Sequence, residues 1–174
     1  KITDGFGSET HVEYGYLSGT EGLYQRSNSA KYPYRDDNGL SYVVKGTKID
    51  NGIGGFNEYT YHYMNGRTHL RGRGFAGFEQ TAVRDLHKNT ITYQEFRQEF
   101  PFIGRVNRKL QQFGNDKPID FIFNHWKSSE ITHPNGKKTT AVYKKDSLYL
   151  TYDLETTQTT SATLTVDTYD HTHG

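Results

Sequence analysis

The sequence predicts an all-β protein, an antiparallel meander of consecutive β-hairpins, and three observations carry that expectation. Aromatic and apolar residues recur with a period of two, as in Val12, Tyr14 and Tyr16 or Tyr59, Tyr61 and Tyr63, which puts each set on one face of a strand. Polar clusters of Gly, Asn, Asp and Pro separate these runs about every 10–20 residues. No stretch carries a reliable helical repeat, and a composition with 14 Tyr, 10 Phe and 18 Gly favours strands and turns.

Taken in order, Asp4-Gly5 supplies a first turn, leading to a strand through Thr10 and Tyr16. Residues 17–40 lose the alternation. Ser18-Gly19, Pro33 and Asp36-Asp37-Asn38-Gly39 favour a long irregular loop, pinned over a sheet face by Tyr24, Tyr32 and Tyr34. Tyr42-Val43-Val44 anchors a strand over 41–49, and Asp50 to Gly55 turns the chain.

The stretch from Tyr59 to Phe78 organises the rest. Its alternating tyrosines meet Asn65-Gly66, a dipeptide that accepts the positive φ angles of a tight hairpin turn, so a turn is expected there. The returning arm reaches Gly72, Gly74, Phe75, Gly77 and Phe78. Glycine at this density in a strand marks a bulge or a bare strip against which a ring lies. Gly72 to Gly77 also fits the letters G-x-G-x-x-G, but no helix follows, and a dinucleotide site needs a strand-to-helix context.

Further strands are expected through Thr81 and Val83, from Thr90 to Phe96, and from Phe121 towards Ile131, with turns at 85–89 and at His133-Pro134-Asn135-Gly136. Pro101 and Gly104 break any helix over 97–113, which reads as a bend followed by extended chain. Lys144 to Ser147 reads as another turn before Leu148, and threonine-rich 156–169 as a last strand.

Composition limits function. With 21 basic and 20 acidic residues, no global charge recruits nucleic acid or a membrane surface. No apolar run approaches the roughly 18 residues that span a bilayer as a helix. The absence of cysteine excludes disulfides and thiolate chemistry and fits a bacterial secreted protein. Lys1 opens in mid-pattern, as expected of a segment of a larger chain.

Candidate chemistry is sparse. No nucleophile elbow, zinc-helix or P-loop motif occurs. Glu95 and Glu99 would lie about 13 Å apart along a strand, too far for a shared acid–base site. His171 and His173 are two apart at a turn, and Asp36-Asp37 and Asp50-Asn51 read as Asx–Gly turns that lack the closing glutamate of a calcium loop. No catalytic, cofactor or metal residue is expected. Lys137-Lys138 and Lys144-Lys145 read as lysines that protect a strand edge.

Several strings nevertheless carry a resemblance. Ile2-Thr3-Asp4-Gly5-Phe6-Gly7, Gly52-Ile53-Gly54-Gly55, Leu70 to Phe78 and Tyr93 to Gly104, in that order, resemble the middle region of insecticidal Tc-toxin B components and SpvB-type virulence proteins. Thr168-Tyr169-Asp170 with Gly174 is similar to the start of a YD (Rhs) repeat, so residues 166–174 are expected to open one. The resemblance implies a non-catalytic β scaffold, residues 1–174 forming one segment of a secreted toxin chain. Its strands would help build a shell that encloses or presents a toxic C-terminal segment. The implied partners are other segments of that chain and a toxin C component or C-terminal cargo, without nucleic acid or membrane insertion. The competing expectation is a carbohydrate- or receptor-binding β module using Tyr24, Tyr32 and Tyr34, whose ring faces could stack on a sugar.

Overall fold

Alternating side chains give this chain little choice but sheet, and the computed structural model describes residues 1–39 and 41–167 as antiparallel ribbon without a helix. The strands are β1 (Ile2–Thr3), β2 (Glu9–Tyr16), β3 (Tyr24–Gln25), β4 (Tyr34–Asp36), β5 (Tyr42–Asp50) and β6 (Phe56–His69). They continue with β7 (Gly74–Asp85), β8 (Thr90–Phe96), β9 (Val106–Phe113), β10 (Pro118–Thr132), β11 (Lys138–Tyr152) and β12 (Thr159–Val166). One open sheet runs β1-β2-β5-β6-β7-β8-β9-β10-β11-β12, so almost every neighbour in space is the next strand in sequence. The expected all-β meander is the observed fold.

The excursion between β2 and β5 breaks that order for a structural reason. β5 pairs with β6 only from Phe56 to Thr60, leaving most of β6 without a partner on that side. Residues 17–39 fill the gap. β3 pairs in parallel with Tyr63 and Met64, and β4 pairs antiparallel with Arg67 to His69. Backbone bonds from Tyr63 to Leu23, Asp37 to Gly66 and Leu70 to Pro33 complete the edge. The irregular segment thus contains two short strands, each defined by the edge it covers.

Two expected turns are corrected. β6 runs straight through Asn65-Gly66; Asn65 does take positive φ (53°), but it does so inside the strand, and the register shift that follows, between Gly66 and Thr68, puts the extra residue on β7, where Arg67 faces Ala76 and Gly77. The hairpin turn comes later, at Leu70 to Arg73. Likewise Lys144 to Ser147 is no turn: β11 continues, with Lys145 as the extra residue opposite His125 and Trp126. Both sites have the polar composition of a turn, yet a positive-φ position or a bulge accepts the same residues and keeps the strand going. The Tyr169-Asp170 pair of the expected YD repeat lies outside the described residues.

Register sorts the side chains into two unlike faces. Tyr93, Leu110, Phe121, Leu150 and Ala162 oppose one another across five strands, as do Phe123, Leu148 and Leu164 in the next row. The reverse face carries Thr92, Gln111, Asp120, Thr151 and Ser161. Among the described residues nothing layers over the apolar face. The buried hydrophobic residues are Leu17, Leu23 and Ala76, while Leu164 is 64% and Val166 60% exposed. A domain ordinarily packs two layers around a core; this one is a single layer.

β10 and β11 extend past both neighbours. β9 stops pairing at Phe123 and β12 at Asp146, so the remainder is a two-stranded ribbon. Its base is tied down by Trp126 Nε1 and Asn124 Nδ2, which both donate to the Val106 carbonyl, at 2.9 and 3.1 Å.

Candidate functional site

The best-constructed part of the molecule is the junction of Asn65-Gly66 on β6, the β7 bulge and the loop 97–105. Gly66 leaves room for three neighbours. A Cβ there would sit 3.2 Å from Asp37 Cβ, 3.2 Å from the Tyr24 hydroxyl and 3.3 Å from the Phe78 ring. The Gly66 amide donates to Tyr24 Oη at 3.1 Å, and Tyr24 Oη donates onward to the Asp37 carbonyl at 3.2 Å. Phe78 packs against Tyr63, Phe75 and Tyr24, with ring centroids 4.8, 5.3 and 6.0 Å away.

Gln98 closes the junction. It is 4% exposed, and its Nε2 donates to the Asn65 carbonyl at 2.8 Å and to the Gly77 carbonyl at 2.7 Å. Those carbonyls flank the register shift between β6 and β7, where ladder pairing is interrupted. The loop presenting Gln98 is held by Arg97 and Gly104, whose backbones exchange a bond at 2.9 Å, and by the Arg97–Glu99 ion pair. Asn65 Nδ2 reaches Glu79 at 2.7 Å. A hollow of about 240 Å³ lies beside the junction, lined by Ala76, Gly77, Phe78, Thr81, Phe96 and Gly104.

The residues singled out from sequence therefore divide. Asn65, Gly66, Gly77 and Phe78 meet at the junction, with Gly104 on its rim. Gly72, Gly74 and Phe75 lie at the hairpin tip, where Phe75 is 52% exposed, and Pro101 follows exposed Phe100 in the loop. The expected bare strip beneath a ring is corrected. Gly72, Gly74 and Gly77 all have positive φ and open space where a side chain would stand, so backbone conformation is what they serve. Gly66 is the glycine against which rings lie. Sequence reasoning missed Tyr24 and Asp37 as junction residues, reading Asp37 only as part of an Asx turn, and gave Gln98 no role; a lone glutamine in Arg97-Gln98-Glu99 gives no periodic or motif signal.

Burial sets the electrostatics. It raises the Tyr24 hydroxyl above its ordinary value, partly offset by the Gly66 amide, and raises that of Tyr63, helped by Tyr61. Burial lowers His62. Glu95 binds Asn107 and Arg108, whereas Glu99 binds Arg97, so the two carboxylates serve separate partners. The aspartate–glycine sequences form Asx turns: Asp37 Oδ1 accepts from Gly39, Asp50 Oδ1 from Gly52, and Asn51 Oδ1 from Ile53 and Gly55. Among the described residues no group of three His, Asp or Glu side chains converges as a metal site; His171 and His173 lie outside them. The three tyrosines do not form a platform. Tyr24 is engaged at Gly66, Tyr34 stacks edge-on against His69 and accepts from the Phe100 amide, and Tyr32 alone projects, 74% exposed.

These features define the chain as a single-layer antiparallel β meander stitched by side-chain-to-backbone bonds. No protein-family model and no curated protein matches the sequence. Among solved structures it is similar in fold to a chain in the crystal structure of TcdB2-TccC3-Cdc42, with a TM-score of 0.54 at 12% identity. The match covers 64% of this chain and 8% of that one, so the likeness is to a small part of a much larger Tc-toxin polypeptide.

Proposed function

We propose that this chain is a non-catalytic wall segment of a β shell in a secreted toxin of the Tc/Rhs type. In that role it associates with other toxin components and helps to enclose or present a toxic C-terminal segment. The observation that carries this reading is a one-layer sheet with one apolar face uncovered, in a fold shared with part of a Tc-toxin chain. A wall needs area and sheet continuity more than a core, and an exposed apolar face marks a surface meant for neighbours. The strings shared with SpvB-type proteins and YD repeats support the same reading. A sugar-binding module is less favoured because Tyr24 and Tyr34 are spent on internal contacts.

Sedimentation and dye binding test it. The isolated chain should self-associate with rising concentration and bind a hydrophobic dye, while the same segment inside its longer parent should bind little and resist limited proteolysis. A stable monomer that ignores the dye would remove the proposal. Labelled nicotinamide cofactor and target protein should yield no transfer.

A further inference from the structure

Although the chain carries a formal charge of only +1, four exposed cations, Lys31, Arg35, Arg71 and Arg73, share one end of the sheet. That end is built from three segments distant in sequence: the turn before β4, the β6–β7 tip and the loop 97–105. The Leu70 amide donates to the Pro33 carbonyl at 2.8 Å, the Phe100 amide to Tyr34 Oη at 3.1 Å, and the Arg73 guanidinium lies 3.6 Å over the Phe100 ring. The Arg71 amide donates to Nδ1 of buried His69 at 3.2 Å, which fixes the tip.

The carboxylates here are already engaged: buried Asp36 faces Arg67, and Glu99 pairs with Arg97. Lys31, Arg35, Arg71 and Arg73 are exposed, and among the described residues none of them forms an ion pair. Between them stand Tyr32, Leu70, Phe75 and Phe100, each about half exposed or more. Arginine with aromatic side chains on a held surface is the composition of a protein-binding hot spot. At the opposite end the turns are capped by the carboxylates of Asp4, Asp85 and Asp153.

We infer that this arginine–aromatic end is a docking surface for an acidic polypeptide segment that interleaves carboxylates with apolar side chains. Carboxylates take the guanidinium forks of Arg71 and Arg73, and the apolar side chains cover Leu70 and Phe75. A net charge of only +1 favours polypeptide over nucleic acid, and Leu70 adds apolar area on which no base would stack. The surface is separate from the apolar sheet face on which the shell reading rests.

The test is fluorescence anisotropy with a labelled short peptide of alternating glutamate and leucine, with a single-stranded oligonucleotide and heparin as competing probes. The peptide should bind, and binding should weaken as salt rises, unlike dye binding to the sheet face. Charge reversal by Arg71→Glu with Arg73→Glu should weaken it by about tenfold or more, and Lys88→Glu at the opposite end should not. The neutral pair Arg71→Gln and Arg73→Gln, checked by circular dichroism, gives an intermediate loss if the reversal variant misfolds. Equal binding by the variants, or tighter binding of oligonucleotide or heparin, overturns the inference. Self-association that the same reversal abolishes would assign this end to a second copy and overturn it too.

Discussion

Gln98 donates to the Gly77 carbonyl at 2.7 Å, and the same side-chain amide donates to Asn65 on the adjacent strand. One glutamine therefore satisfies two backbone carbonyls that flank the register shift between β6 and β7. Replacing Gln98 with alanine leaves two part-buried carbonyls without that donor and should destabilise the fold by about 1–3 kcal/mol. Urea unfolding of Gln98→Ala against the parent measures it; a loss under about 0.5 kcal/mol, the size of an ordinary surface change, would contradict the role.

Gly66 and Gly77 should fail for different reasons. Gly66→Ala pushes a methyl group onto Tyr24, Asp37 and Phe78, an overpacking cost of about 1–3 kcal/mol that Phe78→Leu should partly relieve. Gly77→Ala meets no neighbour but forces φ of +87°, costing about 1–2 kcal/mol, and Gly77→Asn should cost less because asparagine tolerates that conformation. Unfolding midpoints of the single and double variants separate the two mechanisms.

Stability should fall at both extremes of pH. His62 has a lowered value in the folded chain, so the unfolded state binds its proton first. Its contribution is present above about pH 6.5 and is lost as pH falls through the folded value. Tyr24 and Tyr63 are raised, so their contribution is full below about pH 10 and is lost as pH rises through their folded values. His62→Gln should flatten the acid limb of a stability profile and leave the alkaline limb unchanged.

The free part of the β10–β11 ribbon should open before the sheet does. Amides of Lys127 to Thr132 have one partner strand, whereas Phe121 to Phe123 lie between two. Hydrogen exchange should be faster in the ribbon by on the order of tenfold or more. Trp126→Phe, which removes the bond to Val106, should extend the fast region towards Asn124.

How far the sequence could be read depends on what each element answers to. Strands such as β8 and β10 were legible because alternation records which face is apolar: Phe121 and Phe123 fall on one side, Ile122 on the other. Extended chain over Val106 to Phe113 followed from Pro101 and Gly104 alone. Asn65-Gly66 misled because positive φ can sit inside a continuing strand as well as in a turn, and only the presence of β4 across from Arg67 decides between them. β3 and β4 were invisible for a related reason: two or three residues hold no period, and their conformation comes from the edge of β6. Gln98 is legible only in three dimensions, since its partners lie 33 and 21 residues away.

The way β6 shares one edge among β5, β3 and β4 has a kinetic consequence. The β5–β6 hairpin closes a short turn, and β7 can zip onto the other side by the same local route. The strip from Tyr63 to His69 must instead wait for chain some 30–40 residues upstream to return, an event slowed by its long closure. During synthesis, β3 and β4 leave the ribosome before the edge they will occupy exists. That strip accordingly closes later than the hairpins on either side of it, and it is the interval in which a nascent chain is open to capture by a foreign strand.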